Sequence, residues 1–178
     1  MRDRRWAWAG TITALYGAAV VWVAAHHEPW RDEVVPLSIA RQADSLAALA
    51  APLRFEGHPI LWYLLLWILW TMIGQTWVLK AASLGSAIGA TFLLNRSALP
   101  WWLLALATAS FFPLYQYAVV SRGYSLEMLV LFAFCAAYAA RAPTLTLALL
   151  LALLANTEAF GLVMASAAAV MIALEVLG

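Results

Sequence analysis

Charge is what this sequence has least of. Asp, Glu, Lys and Arg supply 11% of its 178 residues, against roughly 25% in a soluble domain. The formal net charge is +1, so the basic surface that a nucleic acid needs is missing and nucleic acid is excluded as a partner. The single cysteine, Cys135, lies inside an apolar run. It rules out an intrachain disulfide and says nothing about compartment. Histidine is also scarce, and no His pair has the i, i+3 or i+4 spacing of metal ligands. His26, His27 and Glu28 read as an ordinary wet helix end.

What is present is apolar. Hydrophobic residues make up 66% of the chain, with ten Trp. No soluble core of this length needs so much. The expected fold is all-α, a polytopic transmembrane bundle forming one membrane domain over residues 1–178. Trp6–Ala25 has the ~20 residues that cross a hydrocarbon core. Arg2, Arg4 and Arg5 before it place the N-terminus in the cytoplasm. Val23-Ala24-Ala25 resembles a leader cleavage site, but the run exceeds the ~7–15 apolar residues of a signal peptide.

Residues 26–58 form an external loop. Pro36 is placed to open a short helix. Asp44 or Ser45 caps a second, with Leu46, Leu49, Ala50 and Leu53 on one face. Both are expected to lie in the membrane interface. Pro59–Ile73 is short for a crossing and rich in interfacial Trp and Tyr. Further spans are expected at Trp77–Leu94, Leu99–Val119, Ser125–Ala140, Thr144–Ala155 and Phe160–Leu177. If Pro59–Ile73 lies in the interface, Arg96 and Arg141 fall inside, and Ser121-Arg122 joins Asp32-Glu33 outside. The positive-inside rule favours this arrangement.

The polar residues that remain are candidates for chemistry. Asp32 and Glu33 are costly to desolvate at the mouth of a span. Adjacent on a helix, their side chains diverge by roughly 100°. One is free to act as base or ligand of a divalent cation while the other binds backbone or an arginine. Acidic capping of the following helix is the plainer alternative. Arg122 offers a forked donor for phosphate, or snorkels to the headgroups. Ser125 and Glu127 read as the cap of the next helix. Lys80 meets a lipid phosphate or snorkels. Glu158 sits at a break between two apolar runs, and His58 lies at the water boundary before Pro59.

Four of these segments in this order resemble the GT-C superfamily of membrane glycosyltransferases. The similarity is to the group of protein O-mannosyltransferases, aminoarabinose transferases and bacterial family 39 homologues. It is carried by Trp30-Arg31-Asp32-Glu33, Glu56-Gly57-His58-Pro59-Ile60-Leu61-Trp62-Tyr63, Val78-Leu79-Lys80 and Tyr117–Tyr124. Ile60 replaces the second proline of the family's His-Pro-Pro pattern, and Lys80 its arginine. The resemblance implies transfer of a sugar from a polyprenyl-phosphate donor at the outer membrane face. It implies Asp32 as base on an acceptor hydroxyl, or as ligand of a divalent cation, with Glu33 as its partner. It implies His58, Lys80 and Arg122 as residues that meet the donor phosphate; Tyr124, at the end of the last segment, and Glu158, a carboxylate at a membrane edge, are further donor-binding candidates. The setting would be a bacterial inner membrane with the active loop in the periplasm. Family members are several times longer, so only the N-terminal module is represented, and a second chain is a candidate to complete it. A non-catalytic relative that binds a lipid carrier is the alternative. A small transporter is a weaker one, since charge gathers at one end and no internal repeat is evident.

Overall fold

The computed structural model describes residues 2–177. The side chains of residues 2–6, and with them the basic cluster that orients the N-terminus, lie outside the described residues. Nine α-helices and one π-helical turn make up the described chain, with no strand. The helices are α1 (Arg2–Ala25), α2 (Arg31–Gln42), α3 (Leu46–Glu56), α4 (Leu61–Ile73), α5 (Val78–Asn95), α6 (Trp101–Ala109), α7 (Tyr124–Ala139), α8 (Thr144–Ala155) and α9 (Ala159–Leu177). Apolar runs set these limits well, and α8 coincides with its expected span.

α1 and α5 pack side by side, and α7 lies against α5. Tyr16 and Val20 of α1, Ala87 and Ala90 of α5, Ala118, and Met128 of α7 form one core. The segment that carries the leader-like Val23-Ala24-Ala25 is therefore an element of the fold. α8 and α9 attach to the far side of α7 through Val130, Leu154 and Ala165. Residues 7–25 and Val78–Asn95 are long and apolar enough to cross a membrane. α4, α7, α8 and α9 are shorter apolar helices. Large apolar side chains face outward, among them Leu15 and Trp22 of α1, Leu145 of α8, and Phe160, Val163 and Leu174 of α9.

α2, α3 and α4 build a second layer over one end of α5. Its core is Leu37, Ala40, Leu49, Leu53, Trp62, Tyr63, Leu66, Val78, Leu79 and Ala82. Ser45 caps α3 as expected, its Oγ accepting from Ala48 N at 3.2 Å. The buried face of α3 is narrower than the pattern implied, since Leu46 is exposed. α4 is ~20 Å long by helical rise, too short for a hydrocarbon core of ~30 Å. Trp67 Nε1 donates to Ala43 O at 2.9 Å, and the Arg41 guanidinium lies 4.6 Å from the Trp70 ring. Leu61 N donates to Asn156 O at 3.0 Å, tying the start of α4 to the turn between α8 and α9.

Two expectations are corrected. α2 begins at Arg31, and Pro36 lies within it rather than at its start. The glutamate three positions after Trp30 initiates the helix instead. The expected span Leu99–Val119 is broken: α6 stops at Ala109, Ser110 is extended, and a π-helical turn covers Phe112–Gln116. Pro113 lacks the N–H that would bond to Ala109, which ends the regular ladder. Tyr117 N then reaches back to Phe112 O at 2.8 Å, the wider π spacing. The Pro113 carbonyl accepts from Tyr16 Oη of α1 at 2.7 Å.

Candidate functional site

Four chain segments meet at one end of the bundle, where they enclose a cleft of about 320 Å³. That is near the lower bound for ligand pockets. Arg31, Asp32, Val35 and Pro36 of α2 form one wall. Glu56 ends α3 and His58 follows it, Trp62 and Tyr63 come from α4, Arg122 and Gly123 precede α7, and Glu158 precedes α9.

Arg122 is the centre of this arrangement. Its Nη1 lies 3.8 Å from Asp32 Oδ2, and its Nη2 lies 3.4 Å from His58 Nε2. His58 Nδ1 is in turn 3.0 Å from Glu158 Oε2. A guanidinium only donates, so His58 Nε2 is the acceptor and its Nδ1–H donates to Glu158. The guanidinium also rests 5.3 Å from the Tyr124 ring, a cation–π contact. Gly123 leaves room for the Glu158 carboxylate, since a Cβ at that position would lie 2.5 Å from Glu158 Oε1 and the side chain would have to swing aside.

Asp32 and Glu33 part company, as adjacent helical residues should. The Asp32 side chain is 73% exposed at the cleft. Glu33 is fully buried. Its Oε1 accepts from Trp30 N at 2.8 Å and from His27 Nε2 at 2.9 Å; its Oε2 accepts from Ser121 N at 2.7 Å. The Trp30 contact satisfies an orphan donor at the start of α2, the glutamate half of a capping box. The Ser121 contact joins the first loop to the segment that carries Arg122.

Lys80 lies outside the cleft. Its Nζ donates to Ala24 O at 2.5 Å and to His27 O at 2.6 Å. A cation on carbonyls at and just beyond the C-terminus of α1 is favourable in charge and in hydrogen bonding. Ser125 and Glu127 do not cap α7, which starts after Gly123 with no side-chain cap. Ser125 Oγ is buried 3.3 Å from Ser83 Oγ. His27 is no wet helix end: its side chain is 6% exposed and its Nδ1 lies 3.3 Å from Tyr115 Oη.

Tyr63 floors the cleft. Burial pushes its phenol up to about 12, with Glu56 and Glu158 raising it further and Arg122 opposing them. Trp62 is buried, and its Nε1–H has no acceptor. Among the described residues no three His, Cys, Asp or Glu side chains converge as metal ligands. The Asp32 carboxylate alone, facing a guanidinium, is a poor fit to a divalent cation.

The cleft thus gathers Asp32, His58, Arg122 and Glu158 and leaves out Glu33 and Lys80, while Tyr124 supports Arg122 from outside the lining. Sequence reasoning placed His27, Glu56, Trp62 and Tyr63 at this end but gave them no part in the site, and it did not single out Tyr115. A lone cation in an apolar stretch, Lys80, was a usable signal, since it must find acceptors nearby. The chain matches no protein-family model, no curated protein and no solved structure.

Proposed function

We propose that this chain is a polytopic membrane glycosyltransferase module that takes a sugar from a polyprenyl-phosphate donor. The observation that carries the reading is the cleft, where a wet carboxylate and a guanidinium from distant segments face one another across 3.8 Å. Asp32 accepts the proton of an acceptor hydroxyl as that oxygen attacks the sugar's anomeric carbon. The bond to the phosphate breaks, and the phosphate leaves with the electron pair. Arg122 and Arg31 stabilise the charge it gains. His58 and Glu158 hold the guanidinium in place.

The outward apolar faces of α1, α8 and α9 support a bilayer setting. The cleft lies at the end where α1 finishes and α5 and α7 begin, and Arg96 and Arg141 follow the far ends of α5 and α7. With basic loops inside, the cleft faces the periplasm or exterior, the N-terminus lies in the cytoplasm, and α4 is interfacial.

The test is transfer of labelled sugar from polyprenyl-phosphate donors in proteoliposomes. Asp32→Asn is expected to lower turnover roughly 10²–10⁴-fold. Full turnover by that variant removes Asp32 as base. Donor binding without turnover by the intact chain makes it a lipid-carrier binder instead. For topology, a cysteine at exposed Asp44 in a Cys135→Ala background is expected to react with an impermeant maleimide from outside. Reaction from the cytoplasmic side alone overturns the orientation.

A further inference from the structure

We infer that His27 is a positioning residue for Arg122, acting through Glu33 and the backbone of Ser121. This rests on the reading above in which Arg122 meets the donor phosphate. His27 touches neither the cleft nor a reacting atom, so its effect travels through others.

The linkage runs residue by residue. Lys80 Nζ holds the His27 carbonyl, and Tyr115 Oη meets its Nδ1. The Tyr115 ring also stands edge-on to the imidazole, with centroids 5.8 Å apart. The imidazole is thereby fixed at both ends, and its Nε2–H is aimed at Glu33 Oε1. Glu33 needs donors, because a buried carboxylate without them is costly. Two are local, Trp30 N–H and His27, and turn the carboxylate so that Oε2 faces Ser121 N–H. That last bond, at 2.7 Å, is charge-assisted and spans 88 positions of sequence.

Arg122 comes next in the chain, and its backbone is bounded on both sides. Arg122 N donates to Val120 O at 2.8 Å, a tight turn over fully buried Ser121. Gly123 presses against Glu158. Removing the His27 donor lets the Glu33 carboxylate turn, frees Ser121 N–H, and lets the backbone under Arg122 drift. A displacement of about 1 Å there is enough to misplace a guanidinium that works by orientation.

The experiment uses the full chain in lipid nanodiscs with polyprenyl monophosphate as the probe. His27→Ala is expected to weaken binding roughly tenfold. His27→Gln keeps an N–H donor and is expected to recover most of the loss. In an Arg122→Ala background, His27→Ala is expected to add nothing, because the two act on one contact. A fold pin with no link to Arg122 gives additive losses in both backgrounds, and that result overturns the proposal. Hydrogen exchange at the Ser121 amide gives a reading that needs no ligand. Exchange is expected to quicken about tenfold in His27→Ala while mid-α7 amides stay unchanged; an unchanged Ser121 amide overturns the linkage. If His27→Ala fails to fold, Tyr115→Phe takes its place, with a loss of about twofold expected and none in the Arg122→Ala background. An intact chain that ignores polyprenyl monophosphate removes the donor reading instead, and the Ser121 exchange then decides the linkage by itself.

Discussion

Two histidine–carboxylate pairs flank Arg122, with nearly the same separation and very different surroundings. His27 and Glu33 are 2.9 Å apart with side chains 6% and 0% exposed; His58 and Glu158 are 3.0 Å apart at 35% and 8%. The first carboxylate takes three hydrogen bonds in a dry interior, two of them from backbone amides. The second takes one from an imidazole that opens onto the cleft. A low-dielectric interior strengthens an interaction and raises the cost of breaking it, while water softens both. Distance alone therefore does not separate a fold-holding pair from a cleft-facing one. The number of fixed donors and the access of water do.

The comparison breaks most easily at the buried pair. Glu33→Ala strands the Trp30 and Ser121 amides and the His27 ring, and is expected to cost about 3–5 kcal/mol of stability. Glu158→Ala leaves a half-wet His58 and is expected to cost about 1 kcal/mol. Chemical unfolding of both variants in the same detergent compares them, and equal costs would erase the distinction. Gly123→Ala is a finer probe. Its Cβ must push the end of the Glu158 side chain off His58, which swings at a stability cost below about 1 kcal/mol. Polyprenyl-phosphate affinity is expected to fall by roughly three- to tenfold in the same variant. Loss of stability with intact affinity would make the wet pair structural as well.

The smallest effect concerns the floor of the cleft. Tyr63 ionises near 12 in the folded chain and near 10 when unfolded. A raised phenol means that its contribution to stability is complete below pH 10 and is lost as pH rises from 10 to 12. Tyr63→Phe is expected to remove a late step in the ultraviolet phenolate titration and to flatten the alkaline fall in stability. An unchanged titration would mean that water reaches the floor, and the wet pair would then be wetter than its geometry indicates.

The helices were legible because apolar runs bounded by Pro, Gly, Asn and charge leave little choice. Asp32, His58, Arg122 and Glu158 were legible for the opposite reason: a polar residue beside so many apolar ones stands out. Their meeting in one cleft depends on long-range contacts such as Leu61–Asn156, which no local pattern encodes. His27 was missed because its neighbours, His26 and Glu28, are the residues of a wet turn, and only tertiary packing buries one of the three. Tyr115 was invisible as an aromatic among aromatics. Lys80 was noticed, but its acceptors are backbone carbonyls, which a sequence does not display. The break after Ala109 was hidden by continuous hydrophobicity, although Pro113 was there to be weighed.

The tie between Leu61 and Asn156 also sets an order of events in synthesis. The core under α2, α3 and α4 draws on residues 37–82, a local set that is able to condense while the chain is still being made. The wall formed by Glu158 arrives some 75 residues later, after α5, α6, α7 and α8 have been made. A ribosome-stalled nascent chain ending before Asn156 would carry the loop and Arg122 but lack the fourth side of the cleft. The cleft is thus closed only when nearly the whole sequence has been made.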